Sequence, residues 1–342
     1  MQPLHITDFG VFLGKHSERL VVRRGKEVLS EHPLALIEQV LVTGRGVSFS
    51  SDLIEECCER GIPVTLLSPG GKPYARVAGM VLNATVRTRR EQLAAYQDGR
   101  GAGIARAIAA GKVQNQGNLL RYFGKYSRKA RPELHTLLTE RAGRIVGLAR
   151  ELAALPEPTA DALRPGLLNR EGRAGALYWE GVAALLKGRV EFAGRTHQGA
   201  DDPVNAALNY GYGILQSQVW SAASLAGLDA HGGFIHVDRP GRPSLVLDLM
   251  EEFRQPVVDR ALLAAWGRGW KAEMETVGEE PELLLTREAR REIAARIFER
   301  LDTATPHEGK KQTLRNVLQM QARRLAVAVR GEAEYAAYVS GW

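Results

Sequence analysis

This chain of 342 residues has few cysteines and no long apolar run. Its two cysteines are the neighbours Cys57 and Cys58, and adjacent residues of a helix rarely bridge. We therefore expect two reduced, buried thiols in a cytoplasmic protein. No stretch of about 18 uninterrupted apolar residues is present, which argues against a membrane-spanning helix. The first residues lack a basic segment leading into an apolar run, so we expect no secretory signal.

Basic residues outnumber acidic ones in an otherwise ordinary composition. The chain is 44% hydrophobic and 25% charged, which excludes a collagen-like or largely disordered protein. It carries 46 Lys and Arg against 39 Asp and Glu, giving a net charge of +7 and a pI near 9.5. This balance favours a polyanionic partner, either nucleic acid or an anionic membrane surface. On charge alone, a nuclease, a repressor and an RNA-binding protein are equally compatible.

The first 80 residues have the pattern of a β-rich region. Strand-length segments rich in branched residues alternate with Gly, Ser and charged residues, as in a meander or a sandwich. These segments are 10–13, 19–22 and 37–42. A helix capped by Ser51-Asp52 is predicted next, ending at Gly61, and a hairpin then joins the strands 63–67 and 74–77.

Near residue 80 the hydrophobic periodicity changes from about 2 to about 3.6, so the remainder is predicted to be helical. The length exceeds the roughly 250–300 residues at which single cores stop growing. We therefore predict an α+β fold with a β-rich domain at 1–80, a linker at 81–86 and a larger all-α domain at 87–342. Within that domain, long helices are predicted over 203–226 and 286–301.

The positive charge is concentrated at the start of the helical region. Residues 84–131 contain eleven Lys and Arg against two acids. The net charge of this window, +9, exceeds the +7 of the whole chain. The basic stripe, our name for the candidate DNA-contacting residues here, consists of Arg87, Arg89, Arg90, Arg121, Lys125, Arg128 and Lys129. A second basic group, predicted on one late helix, consists of Lys310, Lys311, Arg315, Arg323, Arg324 and Arg330.

These basic residues have two interpretations. Lys and Arg contacts to phosphates would position a duplex without reading its sequence, whereas a single basic run is more often a solvated helix face. Tyr122, Phe123 and Tyr126 interleave with the stripe and would stack on splayed bases. Their helical spacing beside Leu119 is more typical of a core. Two separate basic groups together favour nucleic-acid binding.

Glu171 is the first candidate for chemistry. The segment Asn169-Arg170-Glu171-Gly172 is predicted to open a helix, which places Glu171 in the first turn. An acid at that position is favourable against the helix dipole, with Asn169 as a cap. The position alone therefore has a structural explanation.

The second candidate region lies further along the chain. His236 falls in an apolar, extended stretch ahead of a proline-rich loop. Ser244 is predicted to cap a short helix over 245–253, whose Asp248 and Glu251 are three residues apart and share a face. The other residues of this helix are mostly apolar, and carboxylates on a packed helix are costly unless they are paired or bound to a metal.

One histidine with two or three carboxylates is a plausible ligand set for a divalent cation. Carboxylates suit Mg²⁺ or Mn²⁺, and an imidazole ligand favours Mn²⁺. Such a site would polarise a phosphodiester and stabilise a pentacoordinate phosphate, while Arg239 and Arg242 would hold neighbouring phosphates. Glu171 is remote in sequence, so only the fold can bring it near His236.

At these residues the chain resembles a known family, the CRISPR-associated integrase of spacer acquisition, which is the first-numbered Cas protein. The resemblance covers essentially the whole length. It rests on Leu13-Gly14-Lys15, on Glu171-Gly172 with Ala176-Leu177-Tyr178-Trp179, on the run 202–212, and most specifically on the run 233–254.

The resemblance implies a β domain that dimerises, a helical domain that holds the active site, and a smaller second-numbered partner that bridges two homodimers. It implies the metal ligands Glu171, His236 and Glu251, with Asp248 as an assisting catalytic carboxylate. Many members have Asp at the last ligand position, so Asp248 and Glu251 both stay candidates for the closer ligand. The cofactor would be Mg²⁺ or Mn²⁺.

The implied reaction is a transesterification on DNA. The 3′-hydroxyl of a short, branched or partly duplex fragment attacks a phosphodiester at a repeat boundary of the CRISPR array, without a covalent enzyme intermediate. We expect no membrane partner. Two other functions stay compatible with the residues: a purely hydrolytic nuclease for repair or RNA processing, and a DNA-binding scaffold whose carboxylates only cap and pair.

Overall fold

A computed structural model describes residues 2–80, 86–156, 158–196, 202–277 and 282–341. The predicted linker, 81–86, lies outside these ranges apart from Val86, which begins a helix. The observed order of elements is the predicted one, with strands first and helices after them. No helix in the described ranges is long and apolar enough to cross a membrane.

The N-terminal region contains two four-stranded sheets. Its strands are β1 (Gln2–Ile6), β2 (Phe12–His16), β3 (Arg19–Arg24), β4 (Glu27–Pro33), β5 (Ile37–Val42), β6 (Ser48–Phe49), β7 (Val64–Leu67) and β8 (Pro73–Val77). One sheet has the order β4-β3-β2-β6 and the other β1-β5-β7-β8. The predicted segments 10–13 and 19–22 correspond to β2 and β3, which pair in the first sheet, whereas 37–42 is β5 of the second sheet. The third strand of the antiparallel run β2-β3-β4 was not predicted. The predicted hairpin is the antiparallel pair β7-β8.

The second sheet is mixed, which the sequence interpretation did not include. β1, β5 and β7 are parallel, and helix α1 (Ser51–Glu59) forms the crossover from β5 to β7. The cap of α1 is Ser50, whose side chain accepts a hydrogen bond from the N–H of Leu53, so the predicted cap was one residue late. Cys57 is buried in the core of this region, whereas Cys58 is only half-buried.

The rest of the chain is mainly helical. Its helices are α2 (Val86–Ala95), α3 (Gly99–Ser127), α4 (Pro132–Ala153), α5 (Ala160–Leu186), α6 (Pro203–Leu225), α7 (Ser244–Met250), α8 (Arg260–Gly267), α9 (Arg287–Asp302) and α10 (Leu314–Val329). A π-helical turn joins α7 to α8. Two short antiparallel ribbons interrupt the predicted all-α region: β9 (Met274–Val277) with β10 (Glu282–Leu285), and β11 (Ala304–His307) with β12 (Lys310–Thr313).

The two regions meet where the loop before β8 approaches α6. A Cβ on Gly213 would lie 1.7 Å from the carbonyl oxygen of Gly71, so the loop can pass this close only against a glycine. Gly71 itself has φ +88°, which L side chains rarely adopt. Nearby, Gln218 of α6 donates to the side chain of Gln39 on β5 at 2.8 Å.

The C-terminal segment after α10 is fixed by a buried carboxylate. Glu252 is fully buried and accepts hydrogen bonds from Gln321, from the hydroxyl of Tyr335 and from the N–H of Tyr338. The ring of Tyr338 stacks on Phe253, with centroids 5.4 Å apart. Burial raises the pKa of Glu252 to about 7, against the opposing effect of its hydrogen bonds.

This raised pKa makes a prediction about stability. A carboxyl whose pKa is about 7 when folded and 4.5 when unfolded stabilises the fold below pH 4.5, and that contribution is lost as the pH rises through 7. We expect the unfolding free energy of the wild type, relative to Glu252→Gln, to fall by about 3 kcal/mol over this window. Urea unfolding in EDTA measures it. Glu334→Gln, an exposed change in the same segment, is the control, and a pH-independent difference for Glu252→Gln would contradict the prediction.

Candidate active site

A cleft of about 580 Å³ opens between α3, α5 and α6 and the segments that flank α7. Glu171, His236 and Glu251 all line it, although they are far apart in sequence. Lys112 of α3 and Arg254 line the same cleft. The fold therefore places the three residues that were proposed as metal ligands in one cleft.

Glu171 reaches this cleft from the middle of a helix. Helix α5 begins at Ala160 and is capped by the side chain of Thr159, so the prediction of a helix opening at Asn169 was wrong. Helix α5 passes through Pro165, a residue type that ordinarily breaks helices. In this position the helix dipole does not account for Glu171, whose carboxylate instead contacts Lys112 Nζ at 3.2 Å.

His236 is held by Asp248. The carboxylate of Asp248 is fully buried and accepts the backbone N–H groups of Phe234, Ile235 and His236 at 2.5, 2.9 and 3.0 Å. Its Oδ1 also accepts from His236 Nδ1 at 2.6 Å. With Nδ1 engaged, Nε2 is the ring nitrogen left for the cleft. Asp248 is not among the described residues that line the cleft, so its geometry is that of a positioning residue.

The short helix that carries Asp248 starts differently from the prediction. Pro243 occupies the cap position without a side-chain hydrogen bond, and Ser244 is the first helical residue. The hydroxyl of Ser244 donates to the carbonyl of Val237 at 3.4 Å. It therefore holds the loop after His236 against the start of α7 and does not cap the helix.

Glu251 faces the cleft between two cations. It is 3% exposed, and its Oε2 lies 2.8 Å from Lys112 Nζ and 3.1 Å from Arg254 Nε. Burial alone would raise the pKa of Glu251, but Arg254, Lys112 and His236 together lower it to about 2. Glu251 is therefore ionised at neutral pH. Of the two candidate carboxylates Asp248 and Glu251, Glu251 is the one among the described residues that line the cleft.

Lys112 occupies the position between the two carboxylates. Burial would lower its pKa, but Glu171 and Glu251 outweigh that effect and raise the pKa above its ordinary value. Among the described residues, no three His, Cys, Asp or Glu side chains are already grouped closely enough to hold a metal ion. The donor chemistry still fits a cation, because one positive charge already sits between Glu171 and Glu251.

Sequence reasoning missed Lys112 and the residues behind it. Tyr212 donates to the buried Asp259 at 2.5 Å and lies beneath the guanidinium of Arg254, 4.7 Å from its ring centroid. Tyr178 donates to the other oxygen of Asp259 at 2.7 Å. These contacts hold the guanidinium of Arg254 in place next to Glu251. Tyr178 and Tyr212 belong to the segments on which the family resemblance rests. Nothing in their spacing along the sequence indicated that both bind Asp259.

The residues of the basic stripe have different surroundings. Arg121, Lys125, Arg128 and Lys129 are exposed at the end of α3, and Arg87 and Arg90 are exposed on α2, whereas Arg89 is half-buried. Tyr122 lies beneath Arg260, whose guanidinium is 4.0 Å from the ring centroid, and Tyr126 is 68% exposed. Tyr122 is thus covered by an arginine of the protein itself. Tyr126 is the tyrosine beside the basic stripe whose ring is exposed to solvent.

The other candidate DNA contacts lie on loops and a strand. Lys310 and Lys311 belong to β12 and not to a helix, so the prediction of one late basic helix was wrong for them. Both are exposed. Arg239 and Arg242 are on the loop after His236, and Arg242 lines the cleft while Arg239 does not.

Comparison with known proteins identifies the family. The profile of the family described as "CRISPR associated protein Cas1" matches residues 4–299. A CRISPR-associated endonuclease Cas1 of Archaeoglobus fulgidus is 34% identical over 346 aligned positions, which cover 99% of each protein. The chain belongs to the Cas1 family. The family predicted from the motifs is therefore confirmed, and so is the prediction that the chain is an enzyme of the nuclease class, because this Cas1 relative is named an endonuclease.

Solved structures show the same fold. A casposase bound to integration product superposes with a TM-score of 0.82 at 22% identity, covering 98% of this Cas1 and 93% of the casposase. A chain of a Cas6-RT-Cas1–Cas2 complex gives 0.78 at 21% identity, covering 98% of this Cas1 and 36% of that chain. The predicted α+β fold is confirmed.

Proposed function

We propose that this Cas1 joins short DNA fragments to a CRISPR array by metal-dependent transesterification. The observation that carries the proposal is the cleft that Glu171, His236 and Glu251 all line, in which the ammonium of Lys112 lies between the two carboxylates. The casposase of the same fold is bound to an integration product, which supports joining over hydrolysis alone. With a CRISPR array as the target, we expect the protein to act in the cytoplasm.

Glu171, His236 and Glu251 are the residues that would hold Mg²⁺ or Mn²⁺. A divalent cation there supplies a Lewis acid that polarises the scissile phosphodiester and stabilises the charge that develops on phosphorus. Asp248 keeps the His236 ring oriented, with Nδ1 as the donor and Nε2 free to act as a ligand. Arg254 keeps Glu251 ionised.

Lys112 and Arg242 are suited to the phosphate. Both line the cleft, and a cation beside a phosphodiester stabilises the additional negative charge of a pentacoordinate arrangement. The incoming 3′-hydroxyl needs no covalent enzyme intermediate, because alignment and charge stabilisation are enough for phosphoryl transfer. Hydrolysis by water at the same residues is the alternative reaction.

A strand-joining assay separates these reactions. A duplex fragment with free 3′-hydroxyls is incubated with a supercoiled plasmid that carries repeats, in the presence of Mn²⁺ or of EDTA. We expect covalently joined fragment with Mn²⁺ and none with EDTA. Nicked plasmid without joined fragment would support the hydrolytic nuclease, and DNA binding without either product would support the scaffold.

The partners follow from the same proposal. We expect a homodimer, and we expect the second-numbered Cas protein to bridge two dimers, since the solved Cas6-RT-Cas1–Cas2 complex pairs a Cas1 with a Cas2. The DNA partners would be branched or partly duplex fragments and repeat DNA. Light scattering of the protein with and without that partner measures the assembly, and a monomer in both conditions would contradict it.

Lys112→Met tests whether the ammonium and the metal use the same place. Without Lys112, two carboxylates share the cleft with one cation fewer, so we expect the metal-free variant to lose about 2 kcal/mol of stability. Mn²⁺ should then raise the Tm of the variant more than that of the wild type, because the competing charge is gone. The exposed Lys187→Met is the control. Equal Mn²⁺-induced shifts in all three proteins would contradict the proposed position.

The exposed part of the basic stripe makes a separate prediction. Replacing Arg121, Lys125 and Arg128 by Gln should weaken duplex binding and reduce the slope of log K against log salt by about 0.9 for each phosphate that the protein no longer neutralises. Arg144→Gln with Arg173→Gln, on exposed faces of α4 and α5, is the matched control. An unchanged salt slope would remove the stripe from the DNA interface.

A further inference from the structure

Two buried glutamines line the cleft and take no part in the proposed function. Gln116 of α3 lies one helical turn after Lys112, and Gln255 follows Arg254 in the π-helical turn that joins α7 to α8. Both are almost fully enclosed, with exposed fractions of 4% and 2%. Glutamine is mostly an exposed residue, and a buried one normally has hydrogen-bond partners. The two residues therefore need an explanation.

Each glutamine has an amide oxygen without a partner. Among the described residues, none donates a hydrogen bond to Gln116 Oε1 or to Gln255 Oε1. An unpaired buried acceptor costs about 1–3 kcal/mol, which makes it rare in a folded protein. Two such oxygens, on separate elements that line one cleft, indicate that a ligand supplies the missing donor.

The charges of the cleft restrict what this ligand can be. The described residues that line it include five Lys and Arg and two Glu. A phosphodiester suits the cations, but its oxygens only accept hydrogen bonds and would repel an amide oxygen. A second metal ion would add positive charge where cations already outnumber carboxylates. The missing donor is therefore a neutral group, and a hydroxyl is the neutral donor that an unmodified DNA strand carries at its 3′ end.

The cleft has room for the sugar that bears such a hydroxyl. Gly172 and Gly175 of α5 line it, and a Cβ on either would meet no other part of the described chain within 4 Å. Gly175 lies one helical turn after Glu171, so it is on the same face of α5. A glycine in a helix interior costs up to about 1 kcal/mol relative to alanine, so the open backbone here does not stabilise the helix. It does let a deoxyribose approach α5 closely beside a proposed metal ligand.

We propose that the amide oxygens of Gln116 and Gln255 form the acceptor site for the terminal 3′-hydroxyl of the incoming DNA strand, and that they select strands that carry it. The identity of this ligand rests on the proposed function. A hydroxyl hydrogen can be shared by two acceptors in a three-centre hydrogen bond. A 3′-deoxy end would leave both oxygens unpaired, which is why a site built for a hydroxyl rejects an analogue that lacks it. A neutral amide takes up no proton at neutral pH, so the two residues bind and orient the hydroxyl and do not act as its base.

The test measures Kd by fluorescence anisotropy in EDTA for two labelled DNA hairpins, each with a single 3′ end. The hairpins differ only in that end, which carries a 3′-hydroxyl in one and is 2′,3′-dideoxy in the other. We expect the wild type to bind the hydroxyl end about 3- to 10-fold more tightly. Gln116→Met and Gln255→Met should each reduce this preference, and the double variant should abolish it, while the affinity for the dideoxy end stays that of the wild type.

Gln114→Met is the matched control. Gln114 also lies on α3, but it is not among the described residues that line the cleft, and it donates to Asn118 at 2.8 Å. Its replacement should therefore leave the preference unchanged. Methionine is about as long as glutamine and has no amide oxygen to leave unpaired, so the Tm of Gln116→Met and of Gln255→Met should equal or exceed that of the wild type.

Three results would overturn the proposal. The first is equal binding of both ends by the wild type, because the amide oxygens would then hold water or another donor. The second is a folded double variant that keeps the wild-type preference for the hydroxyl end. The third is a loss of that preference in Gln114→Met, because the effect would then not belong to the residues that line the cleft.

Failure of the proposed function gives a different result. A wild type that prefers the hydroxyl end in EDTA but joins no strands with Mn²⁺ contradicts the proposed reaction and supports the selection of 3′ ends. A wild type that joins strands with Mn²⁺ but binds both ends equally supports the reaction and contradicts the selection.

Discussion

Replacing Glu251 by glutamine should lower the rate of strand joining by about 10²–10³-fold or more. Glutamine keeps the size of the side chain but removes the charge that Lys112 and Arg254 balance, and a neutral amide is a weak ligand for a divalent cation. Glu171→Gln and His236→Gln should have effects of the same order. The single-turnover joining rate at saturating DNA measures this.

Binding of Mn²⁺, followed by electron paramagnetic resonance, separates a lost ligand from a lost fold. Each of the three variants should bind Mn²⁺ more weakly while its circular dichroism stays that of the wild type. Glu180→Gln is the matched control, because Glu180 lies on α5 with Glu171 but is exposed and pairs with Arg141. Folded variants of Glu171, His236 and Glu251 with full metal-dependent joining would show that the site is assigned to the wrong residues.

The extent to which the sequence predicts this site is uneven. Asp248 and Glu251 share one short segment, so helical spacing places them together before any fold is known. Glu171 comes near them only through tertiary packing. Its role as a metal ligand was predicted from the family resemblance and not from the local sequence pattern. Lys112 is one of eleven basic residues in its window, and nothing local distinguishes this half-buried lysine from exposed ones such as Lys125.

The errors in the predicted elements have physical causes as well. Helix α5 incorporates Pro165, and a sequence interpretation starts the helix after such a residue because proline lacks an N–H. The ribbon β11-β12 is four residues per strand, too short for alternation to be distinguished from the helical pattern that follows it. The parallel order of β1, β5 and β7 depends on contacts distant in sequence.

Asp248→Asn should be the most destabilising single change near the cleft, costing about 3–5 kcal/mol of unfolding free energy. The carboxylate is fully buried and accepts hydrogen bonds from three backbone N–H groups and from the imidazole. In asparagine an NH₂ group replaces one of these oxygens, and it would point at N–H groups that also donate. Urea unfolding measures the loss. Asp238→Asn, an exposed change on the loop after His236, should stay within about 0.5 kcal/mol of the wild type.

A double-mutant cycle with His236→Ala assigns the two effects of Asp248 to different partners. The backbone N–H groups remain when the imidazole is removed, so most of the stability cost of Asp248→Asn should persist in the His236→Ala background. The effect on strand joining should instead disappear there, because a positioning residue has nothing left to position. If Asp248→Asn still lowered the residual joining rate without His236, Asp248 would contact the metal or the substrate directly, and its assignment as a positioning residue would be wrong.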